Sequence, residues 1–296
     1  MKYNYTIIIP HKNSVDVLRR CLNSIPQRDD LHVIVIDDNS DPKIVDFDKF
    51  PGKERADVTL IFDKESKGAG HARNRGLELL DTKWVLFSDC DDFFSDNLNQ
   101  ILDGYVNCTD DIVFFDVESV YSDTLKPSTR SLSYNKRLNK AIRENDMNLL
   151  RYKFIVPWGK IVRAEIIKNY SIFFDEYFVS NDAMFSLKTG HYARSVSAVK
   201  KVLYVVTTSS NSLMTQRALS CVWTRFNVAI NINQFLSKNK LSKYHVNLLA
   251  YLDYFRGKGL RNICKAIIKS IRYTPPKYLI GDFCACVKYF FSKTQR

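Results

Sequence analysis

Apolar positions in the first 120 residues come in short blocks separated by polar turns. The blocks "YTIII" (5–9), "HVIVID" (32–37), "DVTLIF" (57–62), "WVLFS" (84–88) and "DIVFF" (111–115) are rich in β-branched and aromatic residues. None alternates apolar with polar, the pattern expected of parallel strands covered on both faces. Between them the period changes. Val15, Leu18, Leu22 and Ile25 make one helical face, Ala72, Gly76, Leu79 and Leu80 another, and Ser95 before "DNLNQIL" predicts an N-cap opening a third helix. Strands alternating with helices predict right-handed crossovers and a doubly wound α/β sheet. In such a sheet ligands sit beyond the carboxyl ends of the strands. Three polar clusters fall there: His11 to Asn13, Asp37 to Asp41, and Asp89 to Asp92.

Residues 120–215 are mixed and less periodic, and positions 152–185 hold nine aromatics in 34 residues against a chain average of 13%. From 216 onward the pattern is mostly helical. Charge follows the same division. Residues 216–296 contain 15 Lys and Arg but only Asp253 and Asp282, whereas the first 215 residues carry 29 basic and 30 acidic groups. The net charge of +12 therefore belongs to the C-terminal segment. The 296 residues allow one large domain or two modest ones. Seven cysteines, an odd number without CxxC spacing, suggest neither a disulfide framework nor a zinc site. With no signal-peptide pattern in "MKYNYTIIIP", a reducing, cytoplasmic setting is expected.

The acidic cluster in "WVLFSDCDDFF" carries the chemistry. If the segment is extended, Asp89 and Asp91 point the same way and Cys90 turns back into the protein. Two carboxylates aimed together disfavour each other's ionisation unless a cation joins them. Mg2+ or Mn2+, hard ions that share their shell with phosphate oxygens, suit such a pair. An acidic turn capping the next helix is the structural alternative. "VIDDNSD" sets Asp38 at a strand tip, among residue types that are also ordinary turn formers. "GAGHARNRG" (68–76) is glycine-rich and basic at a helix start, where backbone N–H groups favour anions, but it lacks the third glycine of a dinucleotide fingerprint. His11 and His71 lack metal-ligand spacing and are expected only to line the site.

Together, "TIIIPHKNSVDVLRRCLNSI", "VIVIDDNSD", "GAGHARNRGLE", "WVLFSDCDDFF" and "PWGKIVRAEII…SNDAMF" resemble the successive motifs of family 2 inverting glycosyltransferases. The resemblance covers about residues 3–215. It implies the GT-A fold: a Rossmann-like, doubly wound, mainly parallel sheet with a mixed acceptor region, followed here by a helical C-terminal extension. It also implies a UDP-sugar donor and a saccharide acceptor, expected to be polyprenyl-diphosphate-linked, in surface polysaccharide synthesis. By the same likeness Pro10 and Asp38 belong to the nucleotide site, with Asp38 on the uracil; Asp89 meets the ribose, Asp91 the metal ion, and Arg73 and Asn74 the nucleotide side. Asp182 is the implied general base. The family usually has Glu-Asp there, whereas this chain has Asn181-Asp182. Capping of the following helix is the simpler role for Asp182, and the two are compatible. Of the aromatics Phe173, Phe174, Tyr177 and Phe178, the phenylalanines are expected in the core; Trp158 is expected at the acceptor, and Lys160 at a phosphate or on the surface.

The expected regions are 1–120 for the nucleotide-sugar, 121–215 for acceptor and base, and 216–296 as a basic helical segment. Leu260, Ile263, Cys264, Ile267, Ile268 and Ile271 recur at helical spacing beside Arg261, Lys265, Lys269 and Arg272. "YLIGDFCACVKYFF" (278–291) is too short and too interrupted by charge to span a bilayer. A basic amphipathic helix with an aromatic segment predicts peripheral association with an anionic membrane surface, and a helical cap is the alternative. Two other functions remain to be weighed. A sugar nucleotidyltransferase opens with a Gly-rich phosphate loop where this chain has "PHKNS". Nucleic-acid binding by the basic tail would lack any recognisable motif, and no nucleic-acid partner is expected.

Overall fold

The computed structural model describes residues 3–209 and 216–294. The first apolar block becomes β1 (Tyr3–His11), in which Ile7, Ile8 and Ile9 are all buried, so both faces of the strand are covered. It pairs in parallel with β2 (Leu31–Asp38) on one side and β4 (Thr82–Phe87) on the other, and β2 pairs in parallel with β3 (Val58–Asp63). Helix α1 (Val15–Asn23) buries Leu18, Cys21 and Leu22. Helix α2 (Ala69–Glu78) packs so closely on the sheet that a Cβ at Gly76 would lie 2.6 Å from Ile8 Cγ2 and 3.0 Å from Ile36 Cδ1.

The third helix, α3 (Leu98–Tyr105), starts later than its sequence signal, with Asn97 at the N-cap position. The Ser95 hydroxyl is drawn away to donate to Val202 O (2.5 Å), while it accepts the Asn97 N–H at 3.3 Å. Past β4 the topology changes. The eight described strands run in the order β3-β2-β1-β4-β7-β6-β8-β5. Here β5 is Phe93–Phe94, β6 is Ile112–Tyr121, β7 is Lys160–Arg163 and β8 is Val196–Thr208. Strand β7 runs antiparallel to both β4 and β6, β8 is parallel to β6, and β5 is antiparallel to β8. Helices α4 (Leu132–Glu144), α5 (Asn148–Lys153), α6 (Ala164–Asn169) and α7 (Ala183–Tyr192) connect these strands.

The chain forms two compact units, Met1–Ser212 and Leu213–Arg296. The expected boundary at 215 lies outside the described residues, as do the side chains of residues 288–291. The second unit contains α8 (Leu219–Lys238), α9 (Leu260–Tyr273), α10 (Pro276–Thr294) and two described 3-10 turns, and its small core holds Val222, Phe226, Ala229, Ile230, Leu248, Phe255 and Ala266. The fully buried face of α9 is not its aliphatic stripe, of which Ile263 only partly packs against the core. Ala266 and Ser270 are buried, small enough for close approach, whereas Leu260 is 76% exposed and Ile268 and Ile271 are exposed with it. Both acidic groups of this unit are paired: Asp282 with His245 (2.9 Å) and Asp253 with Arg256 (3.0 Å). Among the described residues no helix is long and apolar enough to cross a membrane.

Candidate active site

The carboxyl ends of β1 and β2 are aligned by their register, with His11 opposite Asp37. Ser14 N–H donates to His11 Nε2 (3.0 Å), so the ring proton is on Nδ1, which donates to Asp37 Oδ1 at 2.8 Å. Burial opposes the Asp37 charge, but the hydrogen bonds from His11 and Ser40 outweigh it and hold this carboxyl below its ordinary range. His11 is thus a buried clamp between two strand tips. The pairing of β1 with β4 ends at Ile8, so Pro10, which has no N–H, lies beyond that ladder. Asp38 is buried and accepts the Gly68 N–H on both oxygens (3.0 and 3.1 Å) and Lys12 Nζ on Oδ2 (3.2 Å). It ties the end of β2 to the start of α2.

The glycines at that helix start serve packing as well as backbone freedom. Gly68 takes φ +90°. A Cβ at Gly70 would lie 2.1 Å from Asp175 O, so α2 meets the segment before Asp182 backbone to side-chain-free backbone. Asn74 completes the seam, donating to Phe174 O (3.0 Å) and accepting from Phe174 N (2.8 Å). His71 lies between Glu176 (3.0 Å) and Asp63 (3.1 Å). Burial lowers its pKa, but the Glu176 hydrogen bond and the charges of Glu176, Asp63 and Glu65 more than reverse this.

Residues 88–92 form a turn, not an extended tail: Asp92 N–H donates to Asp89 O at 3.1 Å. The expected i, i+2 geometry is therefore absent, yet the turn gathers three carboxylates. Oxygens of Asp89, Asp91 and Asp92 lie within 4.8 Å of one another. Asp92 is buried and committed, accepting from Tyr204 OH (3.0 Å) and Thr207 N (2.6 Å). Burial, then the Asp91 and Asp89 charges, push its pKa well up. Asp89 is bonded by Arg73. Asp91 is exposed and receives no side-chain hydrogen bond from any described residue; the protein mass around its carboxyl, then the Asp89 charge, raise its pKa. Arg20 donates to Asp91 O (2.6 Å) and Arg130 to Thr207 O (2.6 Å). Arg20, Arg130, Tyr204 and Thr207 were not singled out by sequence. They reach the turn across separations of 71 to 116 residues or through one another, and no local motif marks them.

Arg73 joins this cluster to the other half of the site. It is buried, and besides Asp89 it donates to Asn181 Oδ1 at 3.0 Å. The Asn181 amide in turn donates to Tyr177 O (3.1 Å). Asp182 sits half-buried at the N-cap position of α7, but its side chain makes no capping hydrogen bond. Burial raises its pKa, Arg73 opposes that, and Asp89 adds to it.

Three expectations are corrected here. Trp158 is 2% exposed, stacked on Tyr204 (5.6 Å) and edge-on to Tyr134 (4.8 Å), so neither ring face is open to a sugar. Lys160 is not a surface lysine: it is 1% exposed and sealed in the sheet. Of the three phenylalanines before Asp182 only Phe174 is core; Phe173 and Phe178 are exposed, as is Tyr177, because the segment is pinned by its backbone and by Phe174 and turns the other rings outward.

Comparison with known proteins bears on this arrangement. The chain is 23% identical over 210 residues to the putative glycosyltransferase EpsH of Bacillus subtilis, covering 67% of this chain and 59% of that protein. It is 25% identical over 214 residues to the poly(ribitol-phosphate) beta-N-acetylglucosaminyltransferase TarS of Staphylococcus aureus, covering 69% of this chain and 35% of that one. The chain thus spans about a third to three-fifths of the length of these relatives. The structure of S. aureus TarS 1–349 in complex with UDP-GlcNAc superposes with a TM-score of 0.69 at 19% identity, covering 92% of this chain and 82% of that one. The mannosyltransferase PcManGT from Pyrobaculum calidifontis, in complex with GDP-Man and Mn2+, gives a TM-score of 0.57 at 16% identity, covering 100% and 83%. These likenesses establish the GT-A fold. Residues 6–171, more than half of the chain, match the model of the family described as Glycosyl transferase family 2, and the chain belongs to that family.

Proposed function

We propose that the protein is an inverting glycosyltransferase that moves a hexose or N-acetylhexosamine from a UDP-sugar to a saccharide. The observation that carries this reading is the Asp182 carboxylate, half-buried and uncapped, which follows Asn181 and is thereby held through Arg73 against the acidic turn. Inversion needs one base: Asp182 takes the proton of the acceptor hydroxyl as its oxygen bonds to the anomeric carbon and the bond to UDP breaks on the opposite face. Asn181 and Arg73 orient the segment that carries it.

The acidic turn fits a hard divalent ion. Asp91 is the carboxylate open to a ligand, with Asp89 beside it, while Asp92 is held by β8 and keeps the turn in shape. When bound, Mn2+ or Mg2+ supplies positive charge that offsets the diphosphate and the departing UDP. Asp38 has accepted bonds from Gly68 and Lys12 but retains lone pairs for a uracil N–H, and Pro10 stands at the end of the adjacent strand, paired with Ile36. Arg73 and Asn74 act on the nucleotide side through the seam they hold. A donor carrying UDP is supported by the UDP-GlcNAc complex of TarS, and family membership argues against a sugar nucleotidyltransferase. UDP release from a panel of UDP-sugars with Mn2+, with Mg2+ and with EDTA tests the reading, together with Asp91→Asn and Asp182→Asn. Full activity in EDTA or in Asp91→Asn removes the metal. Transfer that survives in Asp182→Asn removes the base.

The second unit supports a location at a membrane. Leu260, Ile268, Ile271, Ile280 and Phe283 are exposed in a unit rich in basic residues, whose two acidic residues in sequence, Asp253 and Asp282, are already paired. Exposed aliphatic groups among cations match an anionic lipid surface and have no use on a nucleic-acid backbone. The acceptor would then be a lipid-linked glycan, elongated at the cytoplasmic face. Sedimentation with anionic vesicles at low and high salt tests this; salt-independent absence of binding defeats it.

A further inference from the structure

An arginine beside three carboxylates ordinarily pairs with one of them, as Arg73 does with Asp89. Arg20 does not. It stands half-buried in the last turn of α1, where a cation ordinarily serves the helix's own carbonyls. Its hydrogen bonds leave the helix instead. Nη2 donates to the backbone carbonyl of Asp91 at 2.6 Å, and Nη1 reaches the carbonyl of Ser122, just past β6, at 3.4 Å. The guanidinium lies over the Phe93 ring, its central carbon 5.3 Å from the centroid. Among the described residues no carboxylate pairs with it.

The Asp91 carbonyl accepts a second bond, from Thr207 Oγ1 at 3.0 Å, and the Thr207 carbonyl is itself bonded by Arg130 at 2.6 Å. The main chain of Asp91 is thus held from two sides, by α1 and by β8, while its carboxylate receives no side-chain hydrogen bond from any described residue. We propose that Arg20 is a positioning residue for the acidic turn: it fixes the Asp91 main chain so that the open carboxylate is already aimed for a divalent cation. This rests on the reading of Asp91 as the metal ligand. The geometry separates two effects of opposite sign. As a charge, Arg20 repels a dication, so its loss should tighten metal binding. As a clamp, it spares the cation the cost of ordering its ligand, so its loss should weaken metal binding. A bond to the carbonyl, and not to the carboxylate, serves the second effect and leaves the ligand atoms free.

The test uses the full chain and Mn2+, with binding followed by the electron paramagnetic resonance of free Mn2+ and UDP affinity measured by calorimetry in EDTA. Arg20→Met keeps the reach and the contact with Phe93 but removes charge and hydrogen bonds together. Arg20→Lys keeps the charge on a shorter stem without the planar fork. Mn2+ affinity should fall by about 10- to 100-fold in Arg20→Met, as for other residues that orient a metal ligand. Arg20→Lys should fall between that variant and wild type, although its charge is intact. UDP affinity in EDTA should be the same in all three, because the uracil end of the site lies on β2 and α2. Mn2+ binding that is unchanged or tighter in Arg20→Met overturns the proposal, as does an equal loss of Mn2+ and of EDTA-insensitive UDP affinity, which would mark a general structural defect. Should Arg20→Met fail to fold, Arg20→Lys decides alone: wild-type Mn2+ affinity there means that charge suffices and the clamp is not used. Asp91→Asn separates the two readings. If it binds Mn2+ as wild type does, the metal reading falls and this proposal with it; if it loses Mn2+ while the Arg20 variants keep it, only the clamp is overturned.

Discussion

The two units of this chain handle charge and apolar surface in opposite ways. In Met1–Ser212 acidic and basic groups nearly balance, and the apolar blocks of β1, β2 and β4 are buried within the sheet, while edge strand β3 is only partly covered. Its unusual feature is polar: carboxylates gathered at one edge and bound to one another by Arg73, Tyr204 and Thr207. In Leu213–Arg296 the acids are few and paired, the cations are many, and the unusual feature is apolar: large side chains left in the open, with Ile280 79% exposed. On the proposed reading, each region keeps exposed what it would use. The first holds like charges close together, tolerable when a cation completes them. The second holds Leu and Ile in water, tolerable when a lipid surface covers them.

The difference in core size gives the largest expected effect. The second unit rests on a handful of residues around Phe255, whose ring touches Trp223 (4.8 Å) and Phe226 (5.6 Å). Phe255→Ala should cost about 3–5 kcal/mol there, enough to erase hydrogen-exchange protection in α8 and α9. UDP binding is the second readout. Its survival keeps the two stabilities separate, and its loss would merge them. Next in size is the exposed stripe. Replacing Leu260, Ile268 and Ile271 together by Ser should abolish vesicle binding and leave thermal stability within about 0.5 kcal/mol per site, as for surface positions. A large loss of stability would show that the stripe is packing surface and the comparison false.

A change in the first unit probes the seam. Gly70→Ala places a methyl against Asp175 O and should cost about 1–3 kcal/mol, with transfer reduced more than UDP binding because Asn181 and Asp182 follow that segment. Equal loss of both would mean that the seam serves the nucleotide alone.

Much of this was legible in the sequence, for a local reason. Strands β1 to β4 and helices α1 and α2 announce themselves by period, and the polar clusters at their ends follow from parallel topology. The losses are long-range. Nothing within residues 88–92 says that Tyr204 and Thr207 will hold Asp92, and nothing near 158–160 says that a tryptophan and a lysine there will be sealed by β6 and β8. Tail periodicity identified a helix with an aliphatic stripe, but periodicity does not tell inside from outside. The small residues Ala266 and Ser270 took the inside because close helix approach favours them. Asn181 is a middle case. The departure from Glu was visible, but its use was not: a neutral amide both accepts from Arg73 and donates to Tyr177 O, which a carboxylate does not do.

The smallest expected effect is a pH dependence at the outer end of the same seam. His71 joins β3's end to the segment before Asp182 through Asp63 and Glu176, and its pKa is raised above the ordinary 6.5 once those acids outweigh burial. A folded-state pKa above the unfolded one means that the imidazolium stabilises the fold fully below the unfolded value, and that this contribution disappears as pH rises through the folded value. Asp63 and Glu176, both held below their ordinary ranges, stay ionised throughout that window, so the change belongs to His71. His71→Gln keeps a neutral polar group of similar reach. It should lower Tm more at mildly acidic than at mildly alkaline pH, the two gaps differing by about 1 kcal/mol or less. Thermal melts of wild type and variant at both pH values measure this directly. A gap that is constant, or larger in alkali, would mean that His71 works as a neutral hydrogen-bonding ring, and that the first unit's habit of pairing buried charge stops short of its edge.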